Sequence, residues 1–183
     1  MRKYLAVLLV VVLGHLTGCA SVQMQETPLI AKPSENKAIV NFVRPAIFLG
    51  DGISLDIWNG KNYVGALGAG KLIQIEVDPG KHLFLANAEN WTYASCDLQA
   101  GKQYFIKTNI FPGIVSGRVA LATVKSDDTR VPEWLSSLKP ITAAEKERKE
   151  FGASKQTEIQ NAIADFESGK VTSFAKVQFE DGR

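Results

Sequence analysis

The chain has 183 residues, a formal charge of +2, two cysteines and two histidines. Its apolar fraction of 45% and charged fraction of 22% are those of a globular domain, which excludes disorder throughout, collagen-like repeats and a protein of many membrane spans. Two cysteines exclude a disulfide-rich scaffold, and so small a charge excludes the electrostatic footprint of a nucleic-acid binder.

Arg2 and Lys3 precede the apolar run Tyr4–Leu13. A hydrocarbon core takes about 20 apolar residues to cross, so this run is too short. A basic start followed by a short apolar stretch has the layout of a secretory signal. Leu16-Thr17-Gly18-Cys19 comes next and resembles the bacterial lipobox, in which cleavage precedes the cysteine and the thiol is acylated. An ordinary signal-peptidase site favours an Ala-x-Ala-like pattern, which Leu16-Thr17-Gly18 fits poorly. Residues 1–18 are therefore read as a lipoprotein signal peptide and Cys19 as the lipidation site, carrying palmitate-type chains. Two or more chains give stable anchorage, at about 0.8 kcal/mol per buried methylene. Ala20 rather than Asp follows the cysteine, which for a Gram-negative lipoprotein implies the outer membrane, facing the periplasm. Without the signal, 19 basic and 19 acidic side chains remain, with His82 the one histidine and Cys96 the one free thiol.

Residues 19–36 are rich in Ser, Gln, Thr and Pro and read as a flexible tether. At 3.3–3.6 Å per extended residue, Ala20–Asn36 would reach roughly 55–60 Å from the membrane. Residues 37–126 read as short strands divided by turn residues. Ala38–Arg44 is rich in β-branched residues and ends at Pro45. Ile53, Leu55 and Ile57 alternate with polar residues. Asn59-Gly60 is a hairpin signal, and Asp78-Pro79-Gly80-Lys81 is turn chemistry. Leu72–Val77, His82–Ala88, Thr92–Leu98, Gln103–Ile110 and Val115–Lys125 continue the pattern. The expected fold is mainly β, a small antiparallel β-sandwich of about seven to eight strands. Strands apolar on both faces, such as Ala38–Arg44, are expected to be central and covered on both sides. Residues 127–183 are expected to form a C-terminal α-helical extension. Thr142-Ala143-Ala144-Glu145 matches a capping box, and Phe151, Ile159, Ala162, Ile163 and Phe166 share one stripe of a helix of some 25 residues, with Gly152 as its weak point. Val171–Phe179 alternates and reads as an edge strand or a frayed tail.

The chemistry-bearing residues are few. Gly65-Ala66-Leu67-Gly68-Ala69-Gly70-Lys71 has phosphate-loop spacing, but Leu72 stands where Ser or Thr would hold magnesium, and a strand follows where a helix is needed. With one histidine and one free thiol, no metal site and no cofactor are expected. A hydrolytic centre would need His82 as base, with Ser54, Ser95 or Cys96 as nucleophile. Trp91 and Tyr93 form a candidate aromatic surface for a ligand. Cys96 in an alternating strand reads as a small buried apolar residue.

Arg44-Pro45 with Phe48 and Gly50, Asn59-Gly60, Gly70, Pro79-Gly80-x-His82 and Gly101-Lys102-x-Tyr104 resemble, in that order, the DUF2846 family of bacterial lipoproteins of unknown function. The likeness spans roughly residues 37–125. The Pro-Gly-x-His piece also resembles PEGA-type β-sandwich repeats. The resemblance implies a small β-sandwich on an anchored chain and brings no catalytic residues. The expectation is a lipid-anchored envelope protein that binds or scaffolds without catalysis, with an envelope partner on the C-terminal helix and no nucleic acid. A hydrolase using His82, and a small-ligand carrier using the sandwich interior, are the alternatives.

Overall fold

The computed structural model describes residues 22–47, 50–115 and 117–183. The expected signal peptide, Cys19 and Phe48 lie outside them. The described residues form β1 (Met24–Glu26), β2 (Ala38–Arg44), β3 (Leu55–Asn59), β4 (Asn62–Leu67), β5 (Lys71–Val77), β6 (Gly80–Asn87), β7 (Trp91–Leu98), β8 (Gln103–Pro112) and β9 (Gly117–Val124). After these come α1 (Val131–Ser137), β10 (Lys139–Ala143), α2 (Glu145–Ser154), α3 (Gln156–Glu167) and β11 (Ala175–Val177). The described residues are mainly β, with two sheets and three helices.

One sheet has six strands in the order β1-β10-β5-β2-β8-β9; the other has five in the order β11-β7-β6-β3-β4. Turn chemistry makes the local hairpins. Gly60, at φ +53°, opens a two-residue turn closed by the Asn59–Asn62 pair. The central residues are thus Gly60-Lys61, one position beyond the Asn59-Gly60 signal. The β3–β4 register shifts between Ile57 and Trp58, leaving Val64 as the extra residue of a bulge. The bulge lets Val64 and Leu67, three positions apart, both join the core.

The pairing is mixed where an antiparallel fold was expected. β2–β8, β10–β5 and β11–β7 are parallel. The reason is the path of the chain. It leaves the six-stranded sheet after β2, forms β3 and β4, returns as β5, leaves again for β6 and β7, and re-enters beside β2 running the same way.

β2 is buried along its whole length, as its two apolar faces predict. Ala38, Val40 and Phe42 join Leu55, Ile57, Phe84 and Ala94 of the other sheet in one cluster. Phe42 and Phe84 meet edge to face at 5.2 Å. On the outer face of the six-stranded sheet, Val43, Leu72 and Phe105 pack under Val131 and Trp134 of α1 and under Leu138, which follows it. On the outer face of the five-stranded sheet, Trp58, Leu85 and Tyr93 pack under Ile159 and Ala162 of α3. Along one side the sheets are stitched edge to edge. Asn90 bonds the backbone of Val119 in both directions, at 2.8 and 3.0 Å, and Thr92 Oγ1 accepts from Leu121 N at 3.2 Å.

Four expectations change. The tether is docked over most of its length. β1 pairs with β10, Ile30 N donates to Gln74 Oε1 at 2.8 Å, and Gln103 Nε2 donates to Ala31 O at 2.8 Å. Gln74 passes this contact inward to the buried Asn41 at 2.6 Å, so the segment satisfies polar groups that β2 could not otherwise bury. The region after 126 is not helical alone, because β10 joins the six-stranded sheet and β11 the five-stranded one. The expected long helix is two, α2 and α3, divided at Lys155; Gly152 lies inside α2 and faces Tyr63. Nor does Thr142 cap it: the N-cap is Ala144 without a side-chain bond, since Thr142 belongs to β10 and its hydroxyl reaches Ala143 O.

Ahead of α1, Asp128 accepts from Arg130 N at 2.9 Å and from its guanidinium at 2.6 and 3.0 Å. Hydrogen bonds from the Arg130 side chain and backbone hold this carboxyl down at about 2. A depressed carboxylate stabilises the fold above its unfolded value near 3.9 and loses that contribution as pH falls toward 2. Asp128→Asn should therefore lower stability at pH 7 by no more than about 1 kcal/mol, as for other exposed pairs. Urea midpoints across pH test this: the gap between wild type and variant should be constant above about pH 5 and close by pH 2. A gap unchanged at pH 2 would remove the ion pair as its cause.

Candidate functional site

His82 and Cys96 are directly opposed across β6 and β7, so they share a face. The geometry does not make them a nucleophile and its base. Cys96 is buried, its sulfur lies 3.8 Å from Ala94 O, and burial with nearby Asp181 raises its thiol far above the ordinary range. Thiolate chemistry needs the opposite shift. The His82 ring is engaged at both nitrogens, Nδ1 with Asn59 Oδ1 at 3.2 Å and Nε2 with Asp78 O at 2.8 Å, and it stacks on Phe84. Ser95 opposes Leu83 and so points to the other face of the sheet. Ser54 precedes β3, whereas His82 lies past the far end of that strand, roughly 17 Å along it. His82 is thus brought to Cys96 and to neither serine.

Trp91 and Tyr93 do share a face, and that face is covered. Tyr93 is buried, donates its hydroxyl to Ala162 O at 3.1 Å and stacks on Phe166 at 5.5 Å. Burial raises its phenol, with nearby Asp165 adding to the effect. Trp91 is half-buried at the rim of the same cluster. Beside them a groove of about 670 Å³ runs between β7, β9 and β11 and includes Arg118 and Lys170.

The most chemically structured region lies under α2. Asp56 accepts from Tyr63 Oη at 3.0 Å. Burial raises the Asp56 carboxyl, opposed by that bond and by Lys155, while burial and the Asp56 charge push the Tyr63 phenol above its usual range. Tyr63 packs against Trp58 at 5.0 Å and Phe151 at 4.4 Å. The indole Nε1 of Trp58 is buried without a hydrogen-bond partner among the described residues. Next to this wall a cleft of about 450 Å³ opens between the β3–β4 turn and α2, lined by Lys61, Asn62, Tyr63, Glu145, Arg148 and Lys149 among others. Its cations come from a turn and a helix far apart in the chain, and neither Lys61 nor Arg148 belongs to a motif, so no sequence signal marks them.

Among the described residues, no cluster of three or more His, Cys, Asp or Glu side chains is positioned to hold a metal ion, and no helix is long and apolar enough to cross a membrane. Comparison with protein-family models, with curated proteins and with solved structures finds no match to this chain.

Proposed function

We propose that the chain is a lipid-anchored cell-envelope protein that binds or scaffolds at the periplasmic face of the outer membrane and catalyses no reaction. One observation carries this reading: Leu16-Thr17-Gly18-Cys19 stands directly behind a basic start and a ten-residue apolar run, Tyr4–Leu13. The fold goes with it. The two sheets are read as a β-sandwich of the DUF2846 type, with β2–β9 as its eight principal strands and β1, β10 and β11 as edge additions.

The docked N-terminal segment sharpens what the anchor would do. Gln23 N is bonded to Glu147 on α2 at 3.0 Å. Only the steps from Cys19 to Gln23 remain as spacer, a reach of about 14 Å at most. The domain then lies against the bilayer, α2 side first, rather than 55–60 Å away. Ile159 and Ala162 of α3 are spent on the core, so an envelope partner on these helices would read their polar outer faces.

Cys19→Ala should move the protein from the membrane fraction to the soluble periplasm, or leave it unprocessed, and abolish incorporation of labelled palmitate. A variant that fractionates with membranes as the parent does, from a parent that takes up no lipid label, would overturn the anchor.

A further inference from the structure

We propose that the cleft between the β3–β4 turn and α2 binds a phosphate group through Arg148 and Lys61, and that a phospholipid headgroup supplies it. The phosphate site stands on geometry alone; its lipid source rests on the anchoring proposed above.

The charge pattern of α2 is the first reason. Every carboxylate of that helix is already engaged. Glu145 pairs with Lys149 at 2.6 Å, Glu150 with Lys146 at 3.8 Å, and Glu147 accepts from Gln23 N. Among the described residues, Arg148 and Lys61 make no salt bridge. The second reason is a donor without an acceptor. Arg148 Nε is withdrawn from water and has no hydrogen-bond partner among the described residues. A buried donor on a charged group is costly to leave unmet, so turning the Arg148 side chain toward an anion in the cleft would remove a standing penalty as well as add a contact. The guanidinium fork matches phosphate oxygens two at a time, and a lysine adds a point charge from the other wall.

The walls suit a small anion rather than a buried apolar ligand. Lys61 is fixed at the turn because Gly60 N donates to Leu83 O at 2.8 Å. Arg148 is fixed by the first helical bond, from its N–H to Ala144 O at 3.0 Å. Asn62 supplies a neutral amide between them, and the Tyr63 hydroxyl is occupied by Asp56.

Position supplies the third reason. The cleft lies on the helix that receives Gln23, four residues after Cys19. An acyl-anchored chain would bring this surface within about 14 Å of the headgroup layer, where phosphates are the commonest anions.

The test uses the full chain purified in dodecyl maltoside. Calorimetric titrations are run with inorganic phosphate and, separately, with dihexanoyl phosphatidylglycerol. Both should bind. Arg148→Gln should weaken both by about tenfold or more, and Lys61→Gln by several-fold, as loss of a charge-assisted contact predicts. Lys107→Gln, on β8 of the six-stranded sheet, should change neither. Should Arg148→Gln fail to fold, Lys61→Gln on an exposed turn carries the test. Absence of binding by both titrants, or affinities unaltered in Arg148→Gln and Lys61→Gln, would overturn the site. Binding of inorganic phosphate without the lipid supports the phosphate site and overturns the headgroup as its source. The intact mass of the same preparation reads acylation of Cys19 separately, so failure of the anchor and failure of the site give different results.

Discussion

Arg44→Met should cost about 3–5 kcal/mol of stability, because three backbone carbonyls, one buried and two part-buried, lose their donor. Arg44 ends β2 and is 3% exposed. Its guanidinium donates to Leu67 O at 2.9 Å, to Gly50 O at 2.7 Å and to Ile53 O. These carbonyls belong to the β2–β3 loop and to the end of β4, so one side chain ties the loop to both sheets. Gly50 presents its carbonyl from φ +91°, a backbone state that L side chains rarely adopt, and a Cβ there would lie 2.8 Å from Ile110. Desolvation lowers the guanidinium below its ordinary value, with Asp51 opposing. Part of the loss is therefore returned when the buried charge is removed, which is why the expected cost stays below the sum of three full desolvation penalties. Arg44→Lys keeps the charge but loses the fork that reaches three acceptors at once, and should recover about half. The expected shift for Arg44→Met is roughly 10 °C in Tm, taking about 2–4 °C per kcal/mol at this size. Urea unfolding should show a lower midpoint at unchanged slope. A loss under about 1 kcal/mol would mean that the loop finds other donors.

The same contact explains why Arg44-Pro45 and Gly50 stand together in the sequence. They were legible as a group through a resemblance, and the geometry gives them a shared physical task that spacing alone did not state. Much of the β region was legible for a simpler reason. β2 was read as Ala38–Arg44 and forms over Ala38–Arg44, because β-branched residues and a following proline mark both its ends. What escaped had no such marks. β1 and β10 are three and five residues long, too short for alternation to stand out, and each exists only because a sheet edge was there to receive it; β11, by contrast, falls inside Val171–Phe179, where alternation gave an edge strand as one of two readings. The parallel β2–β8 pairing depends on where the chain goes in between, which no local pattern encodes. The break at Lys155 falls where neither Gly nor Pro stands, inside a continuous apolar stripe, so the stripe concealed it.

The candidate sites divide in the same way. The expected lipidation site, Cys19, rests on a contiguous signal and lies outside the described residues. His82 and Cys96 were read separately, and only the β6–β7 register brings them together. Trp91 and Tyr93 looked like an exposed pair because the helix that covers Tyr93 comes some seventy residues later in the chain. The Lys61–Arg148 cleft required a hairpin turn to meet a helix, a contact that exists only once both layers are assembled.

Phe84→Ala is expected to be the other severe substitution, at about 3–5 kcal/mol for a fully buried aromatic truncated in a packed core. Phe84 has no exposed surface, and its ring meets Phe42 at 5.2 Å with a 74° interplanar angle. The two residues belong to different sheets, so the cavity would open where the layers touch. His82 lies over the same ring at 5.7 Å, its plane nearly parallel to it, and would lose its stacking surface while keeping its bonds to Asn59 and Asp78. Phe84→Leu fills most of the volume and should cost clearly less, leaving the edge-to-face term as the remainder. A double-mutant cycle with Phe42→Leu isolates that term, expected at about 0.5–1.5 kcal/mol. Guanidinium unfolding of the four proteins of the cycle and of Phe84→Ala measures both numbers. A cost for Phe84→Ala below about 1.5 kcal/mol would mean that the layers close over the gap. The junction between the sheets would then be held by the Asn90 and Thr92 stitches at its edge rather than by its aromatic centre.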